Sequence, residues 1–185
     1  MNTKRFLCFL GVTMAMTFLT AYAGWAEPKP GTNAPMITHS FAIEKGYYGY
    51  VWKIYIEAVD PDGDMYKIAS VVDHTGYGRY PTDWIILKPQ YRNRLKGYLQ
   101  WNTFSSKSSY LKEWNQIILK VSILDKAGNE SNVVVFPFTF ESGVKNPYTY
   151  SLPAPFDQGD LARLGYIHID LIEPTMASDG NRRDD

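Results

Sequence analysis

The sequence predicts an all-β protein, an antiparallel β-sandwich of about seven short strands with one further strand in a C-terminal extension. Three observations indicate this fold class. Apolar and polar residues alternate in many segments, the spacing of an amphipathic helix is nearly absent after Ala26, and turn residues separate the alternating segments at short intervals. A β-barrel is the alternative fold.

The elements of the sandwich follow in order along the chain. The predicted strands cover residues 35–43, 50–59, 65–73, 83–88, 95–102, 115–124 and 132–140. In the second of them Trp52, Ile54 and Ile56 share one face, as in a half-buried strand. The last strand is apolar on both faces and contains Pro137, which has no N–H for a ladder, so we expect it at a sheet edge.

The chain begins with a predicted secretory signal peptide that ends at or before Ala26. Lys4 and Arg5 precede an uncharged apolar stretch. Ala21 and Ala23 form the A-x-A pattern that signal peptidase accepts, so we expect cleavage after Ala23 or after Ala26. The alternative is an uncleaved anchor, since about 20 apolar residues can span a bilayer. Either way the rest of the chain is exported, which predicts a periplasmic or extracellular protein.

Cysteine content and charge narrow the class of protein further. The only cysteine, Cys8, lies in the signal peptide, so we expect a mature chain without a disulfide, a thiolate nucleophile or a cysteine metal ligand.

The chain carries 19 basic and 19 acidic residues. Nucleic acids and anionic membranes both require a clustered basic face, so this balance argues against either as a partner. We expect no membrane insertion of the mature chain.

We expect five regions in the chain. They are the signal peptide (1–26), a linker (27–34), the sandwich (35–141), the C-terminal extension (142–173) and a tail (174–185). The extension is rich in Pro and Gly at first, and then Ile167, Ile169 and Leu171 alternate as in one more strand. Because the outer face of the last sandwich strand is apolar, we expect residues 144–173 to fold back and pair with that strand or cover it. The tail is predicted to be disordered.

The stretch "DPDGD" places Asp60, Asp62 and Asp64 within five positions. It does not match an EF-hand, because the glycine and the glutamate that the EF-hand loop requires are missing. In a sandwich, however, the turn that follows residue 124 lies at the same end of the fold. A calcium site shared by both turns would use Asp60, Asp62, Asp64, Asp125, Asn129 and Glu130, since calcium takes oxygen ligands. The alternative is an ordinary turn, in which Pro61 and Gly63 set the backbone.

Two turn motifs resemble a known family. "DKAGN", residues 125–129, followed by a β-branched strand, resembles the hairpin before the last strand of bacterial immunoglobulin-like domains. "AVDPDGD", residues 58–64, resembles a turn of cadherin-like and PKD-like repeats. The resemblance covers residues 35–140 at most and implies an immunoglobulin-like sandwich that serves as a spacer, adhesin or accessory module. The single module, the extension and the lack of a sorting signal depart from those families and argue against an adhesin stalk.

Aromatic residues form a second candidate site. Five rings are predicted in or beside loops: Tyr47, Tyr48, Tyr77, Tyr80 and Trp84. Flat rings near a surface stack on sugar rings and also anchor protein interfaces. The alternative is that these side chains fill half-buried strand edges.

Together these observations predict an exported, non-enzymatic, immunoglobulin-like binding or accessory domain of the cell envelope. Its expected partner is an envelope protein, and calcium would shape the end of the fold that carries the two turns. A carbohydrate-binding module that uses exposed Tyr and Trp rings is the alternative. A secreted hydrolase that uses Asp73 and His74 is a third hypothesis, although neighbouring residues on a strand point to opposite faces. No G-x-S-x-G or H-E-x-x-H pattern supports an enzyme.

Overall fold

A computed structural model describes residues 32–107, 115–141 and 150–172 of the chain. The predicted signal peptide, most of the linker and the tail lie outside these residues. The described part is all-β, with one 3-10 turn at Pro89–Tyr91. Its strands are β1 (Met36–Ala42), β2 (Lys45–Gly46), β3 (Val51–Val59), β4 (Met65–His74), β5 (Gly78–Arg79), β6 (Asp83–Ile86), β7 (Arg94–Asn102), β8 (Gln116–Asp125), β9 (Val134–Phe140) and β10 (Ala162–Ile167).

The strands form two sheets of mixed orientation. The first sheet has the order β1-β3-β7-β10, and the second has the order β2-β9-β8-β4-β5, with β6 also paired to β4. The prediction of a purely antiparallel fold is wrong, because β10 runs parallel to β7 and β2 runs parallel to β9. The second parallel pair has a simple cause. The chain continues from β1 into β2 without a turn residue such as Gly or Pro, so it crosses from one sheet to the other without reversing.

One apolar core lies between the two sheets, which fits a β-sandwich. Trp52 and Trp101 project into it from the first sheet, and the Trp52 ring centroid lies 4.5 Å from that of Phe138 in the second sheet. Along β8, Leu119 and Val121 are fully buried, as period-two alternation requires. The alternation that predicts the strands therefore also predicts which of their faces enter the core.

The free edge of β9 is short and protected. Thr139 donates its N–H to the Glu44 carbonyl on the β2 side (2.8 Å), whereas the N–H of Phe140 points the other way, to Asn115 (2.9 Å). Backbone N–H groups alternate in direction along a strand, so the nitrogen of Pro137 points to the same side as that of Thr139, toward β2. The strand β2 pairs only with Thr139 and Phe140, so it does not extend to Pro137. Because β2 flanks β9 at Thr139 and Phe140, the prediction that this strand lies at a sheet edge is correct only for the part that contains Pro137. There the missing N–H weakens the edge as a template for another strand.

The described residues of the C-terminal extension, 150–172, pack on the first sheet and do not pair with β9. Residues 162–167 pair with Gly97–Trp101 of β7, and the Phe156 ring packs 5.8 Å from Tyr55 on the outer face of β3. The expectation that the extension pairs with or covers the last sandwich strand is wrong for its described residues. On β9 itself Val135 remains 54% exposed. The extension is therefore part of the first sheet.

A glycine makes room for this strand. A Cβ atom built on Gly97 would lie 2.2 Å from the Ala162 carbonyl oxygen and 3.0 Å from the Leu164 side chain. Any side chain at position 97 would therefore push β10 away from β7.

We expect Gly97→Val to lower the free energy of unfolding by about 2 kcal/mol, a typical cost of overpacking. Chemical denaturation would measure the change. The matched control is Lys96→Val, because the neighbouring side chain lies on the other face of β7. Equal stabilities for the two variants would show that β10 does not depend on the close approach at position 97.

Candidate functional site

The first acidic turn is held together by its own backbone. Asp60 is fully buried, and its two carboxylate oxygens accept the N–H groups of Asp62 and Asp64, each at 3.0 Å. Gly63 adopts φ of 71° and donates its N–H to the Asp60 carbonyl (3.2 Å). Burial raises the pKa of Asp60. The Asp60 carboxylate thus satisfies backbone donors that the tight turn would otherwise leave unpaired.

Asp62 attaches the N-terminal segment to this turn. Its carboxylate accepts the backbone N–H of Asn33 at 2.7 Å and the side-chain amide of Asn33 at 2.9 Å. These hydrogen bonds lower the pKa of Asp62. The contact gives Asp62 a structural role, because it anchors the entry of the chain into β1.

The turn at residues 125–129 contacts the turn at residues 60–64, as predicted, but its polar side chains form hydrogen bonds within their own hairpin. Lys126 donates its N–H to the Asp64 carbonyl (3.1 Å), so both turns lie at one end of the fold. Asp125 accepts the backbone and the side-chain N–H of Asn129, both at 2.8 Å. Glu130 accepts the Ser122 hydroxyl at 2.6 Å. Each of these three turn residues therefore has a partner within its own hairpin.

The six predicted calcium ligands do not form one donor set. Among the described residues no group of three or more His, Cys, Asp or Glu side chains is arranged to hold a metal ion. Asp60, Asp62 and Asp125 direct their oxygens to N–H groups instead of a common centre. The calcium site stays a prediction that no contact in these parts of the chain supports.

We expect thermal unfolding of the mature chain to give the same midpoint in millimolar calcium and in chelator. The carboxylates of Asp60, Asp62 and Asp125 already accept N–H groups, so a cation bound to them would have to displace those hydrogen bonds. A ligand at about 100 times its dissociation constant would add roughly 2.7 kcal/mol and raise the midpoint by several degrees. An increase that disappears in Asp62→Ala would instead establish the calcium site.

Three of the predicted aromatic residues have structural roles. The Tyr48 hydroxyl donates to the Ser105 carbonyl and accepts the Ser105 N–H, both at 3.0 Å, so this ring fixes the loop after β7. Tyr47 is half-buried and packs edge-on against Tyr50 at 5.6 Å. Tyr80 is buried. These positions match the alternative in which the rings fill half-buried edges.

The other two predicted rings are exposed, on different surfaces. Trp84 is 45% exposed on the outer face of the second sheet, with Lys67 Nζ 4.0 Å from the ring centroid. Tyr77 is 44% exposed and stacks on the buried Tyr80 ring at 4.6 Å. The stacking holds the Tyr77 ring in place and leaves part of it open to solvent.

Asp73 and His74 point to opposite faces, as the alternation requires. The Asp73 carboxylate accepts from Arg79 Nε and Lys120 Nζ, both at 2.7 Å, and these cations lower its pKa to about 2. His74 is buried, and its Nδ1 lies 2.9 Å from the Tyr80 hydroxyl. Both residues line one open cavity of about 420 Å³, but Asp73 is bound by two cations and His74 contacts Tyr80, so no hydrogen bond links them as in a catalytic pair.

The described residues form a groove along the C-terminal segment. Two adjacent cavities of about 390 and 540 Å³ share the stretch 168–170. We call their union the C-terminal groove. The side chains that define it are Tyr77, Asp83, Phe104, Tyr166, His168 and Asp170.

Three hydrogen bonds fix the backbone under the groove. His168 donates its N–H to Asp83 Oδ2 (3.1 Å), and the Ile172 N–H donates to the Tyr80 hydroxyl (2.8 Å). Between them the Ile169 carbonyl accepts the Trp101 indole N–H at 3.0 Å. These bonds tie residues 168–172 to β6, β7 and the Tyr80 loop, so the groove is a preformed part of the fold.

The groove combines exposed rings with polar groups of both charges. Phe104 is 57% exposed and Tyr166 is 44% exposed. The Arg163 guanidinium lies 4.3 Å from the Tyr166 ring centroid, and Ser106 Oγ donates to Asp170 Oδ2 at 3.3 Å. Asp83, Asp170 and Lys107 line it together. The mixture suits a ligand with apolar faces and hydroxyl groups better than a strongly charged one.

The sequence indicated only part of this surface. Tyr77 and Tyr80 were predicted from their loop, but Phe104, Tyr166 and Asp170 were not. Tyr166 lies in an alternating strand, and its exposure depends on where β10 pairs. The only local signal for Phe104 was a large apolar side chain in a serine-rich segment.

No helix in the described ranges is long and apolar enough to cross a membrane. Neither a protein-family model nor a curated protein matches the chain.

Proposed function

We propose that the chain is an exported, non-enzymatic binding domain of the cell envelope with an immunoglobulin-like fold, and that the C-terminal groove is its ligand surface. The observation that carries this proposal is the exposure of Tyr77, Phe104 and Tyr166 along one preformed groove. Large exposed rings cost solvation free energy, so their grouping around a concave surface favours a binding role.

The strand order supports the immunoglobulin-like part. In that fold one sheet contains neighbouring strands A, B and E, and the other contains C, F and G. Here β1-β3-β7 corresponds to the first order and β4-β8-β9 to the second. The position beside β7, where strand D would run antiparallel, is taken by the parallel strand β10. This replacement brings the C-terminal segment next to β6 and creates the groove.

The side chains support binding over catalysis. His74 is buried against Tyr80, and Asp73 is neutralised by Arg79 and Lys120. Neither is placed to act on a ligand in the C-terminal groove. Export follows from the N-terminal sequence alone, so we expect the mature protein to begin at Gly24 or Glu27 when its N-terminus is sequenced.

Binding of the labelled mature chain to purified envelope fragments tests the proposal. We expect saturable binding that is weakened by Tyr77→Ala and by Tyr166→Ala. Trp84→Ala is the matched control, because it removes a ring of equal exposure from the outer face of the second sheet. Binding that all three variants retain would overturn the groove as the ligand surface.

A further inference from the structure

We propose that the C-terminal groove binds a neutral oligosaccharide of at least two sugar units, with one ring against Tyr77 and another against Tyr166 or Phe104. This inference rests on the proposed function and specifies the ligand of the same surface. It follows from the division of the groove, from the placement of its rings and from the type of its polar groups.

The groove has two compartments, which favours a ligand with repeated units. The cavity of about 390 Å³ lies at the Tyr77 end, and the cavity of about 540 Å³ lies at the Tyr166 and Phe104 end. Both have the size of small-ligand sites, about 300–1,000 Å³. They meet at His168 and Asp170, so a ligand that fills both must cross this polar stretch. A chain of sugars provides one ring for each compartment and a polar linkage between them.

The rings are placed at both ends of the groove. Tyr77 is supported from behind by Tyr80, with the planes 26° apart, so its position is fixed before a ligand arrives. At the other end Tyr166 is packed by Arg163 and Phe104 is more exposed. A pyranose presents an apolar C–H face that packs on such rings, and pre-fixed rings lose little entropy on binding.

The polar groups between the rings suit hydroxyl recognition. Asp170 supplies carboxylate acceptors, while the amides of Asn102 and Gln100 each have donors and an acceptor on one plane. The Asn102 oxygen already accepts the Phe104 N–H at 3.1 Å, which orients its NH₂ group as a donor. Vicinal sugar hydroxyls both donate and accept, so planar groups of this kind match them in pairs.

A neutral glycan fits better than the other classes of ligand. An acidic polymer would meet two carboxylates, Asp83 and Asp170, against one lysine, Lys107, in the cavity at the Tyr77 end. In a protein interface the dominant aromatic residues cluster at the centre inside a polar rim. The C-terminal groove has the opposite arrangement, because the polar residues His168 and Asp170 lie at its centre and the exposed aromatic rings lie at its two ends.

Calorimetric titration of the mature chain with purified neutral oligosaccharides of one to six units, in several linkage types, tests the inference. We expect affinity to rise from one unit to two or three and then to level off. Tyr77→Ala and Tyr166→Ala should each weaken binding by about tenfold, the value of one stacking contact. Trp84→Ala should bind like the unmodified chain, and thermal unfolding would check that every variant is folded.

Two results would overturn the glycan assignment. One is affinity that is independent of chain length, and the other is equal weakening by Trp84→Ala. If no neutral oligosaccharide binds but Tyr77→Ala still loses attachment to envelope fragments, the glycan inference fails and the proposed function stands. If neither oligosaccharides nor envelope fragments bind, both fail.

Discussion

A chain that ends at Glu141 should expose apolar surface, self-associate and show no cooperative unfolding transition. The described part of the extension contributes five buried apolar side chains: Phe156, Leu164, Ile167, Ile169 and Leu171. Full burial of such side chains is worth about 1.5–3 kcal/mol each, so together they contribute on the order of 10 kcal/mol. That amount is comparable to the whole stability of a typical domain, about 5–15 kcal/mol.

The loss would extend into the first sheet. Without β10 the edge of β7 would have no partner, and the indole N–H of Trp101 would lose the Ile169 carbonyl that it reaches at 3.0 Å. A buried donor without an acceptor costs about 1–3 kcal/mol. On the outer face, Tyr55 would lose its contact with Phe156.

Gel filtration, dye binding and circular dichroism on heating would measure these changes. The matched control is a chain that ends at Glu173, which removes only residues beyond the described extension and should unfold like the full mature chain. If the chain that ends at Glu141 is soluble, monomeric and equally heat-stable, the extension is not part of the first sheet.

Strand faces could be predicted from the sequence, but the neighbours of the strands could not. The alternation of Trp52, Ile54 and Ile56 gives the buried face of β3, because side chains on a strand have a period of two. The same pattern in β10 does not say which sheet edge it joins. That choice depends on Gly97, whose missing side chain matters only once Ala162 is known to lie against it.

The candidate sites show the same limit. From the sequence alone, Asp60 and Asp62 could be either metal ligands or residues that stabilise a turn. Only the positions of the N–H groups of Asp64 and Asn33 distinguish the two roles. In the same way, the sequence could not show that Tyr77 and Tyr166 line one groove, because they lie on elements brought together by an unpredicted pairing.

The second large effect concerns His74, which is buried in its neutral form. The Tyr80 hydroxyl accepts the Ile172 N–H at 2.8 Å and also lies 2.9 Å from His74 Nδ1, where the imidazole tautomer decides which group donates. An imidazolium carries a proton on both ring nitrogens, so Nδ1 could only donate to the hydroxyl and Nε2 would also need an acceptor. Within the described residues Nε2 has no hydrogen-bond partner, so a charge would find no compensation there either. Burial accordingly lowers the pKa of His74 below its usual 6.5.

The sign of the pH effect follows from that shift. Well above pH 6.5 His74 is neutral in both the folded and the unfolded chain, so its contribution to the free energy of unfolding is complete. As the pH falls below 6.5, His74 becomes protonated in the unfolded chain but stays neutral in the folded chain. The free energy of unfolding therefore decreases until the pH reaches the lower pKa of the folded state. From pH 7.5 to pH 5.5 we therefore expect the free energy of unfolding to fall because of this one group, as measured by urea denaturation.

Two substitutions separate the proton from the packing. His74→Ala should cost about 3 kcal/mol or more at every pH, because it empties buried volume and removes a hydrogen-bond partner of the Tyr80 hydroxyl. His74→Asn places a side-chain amide near the position of Nδ1, so it can still form a hydrogen bond with the Tyr80 hydroxyl but cannot be protonated. The free energy of unfolding of this variant should be the same at pH 7.5 and pH 5.5, whereas that of the unmodified chain should be lower at pH 5.5. If the difference persists in His74→Asn, another group must titrate, and the Tyr80 hydroxyl does not depend on a neutral His74 to hold Ile172 under the groove.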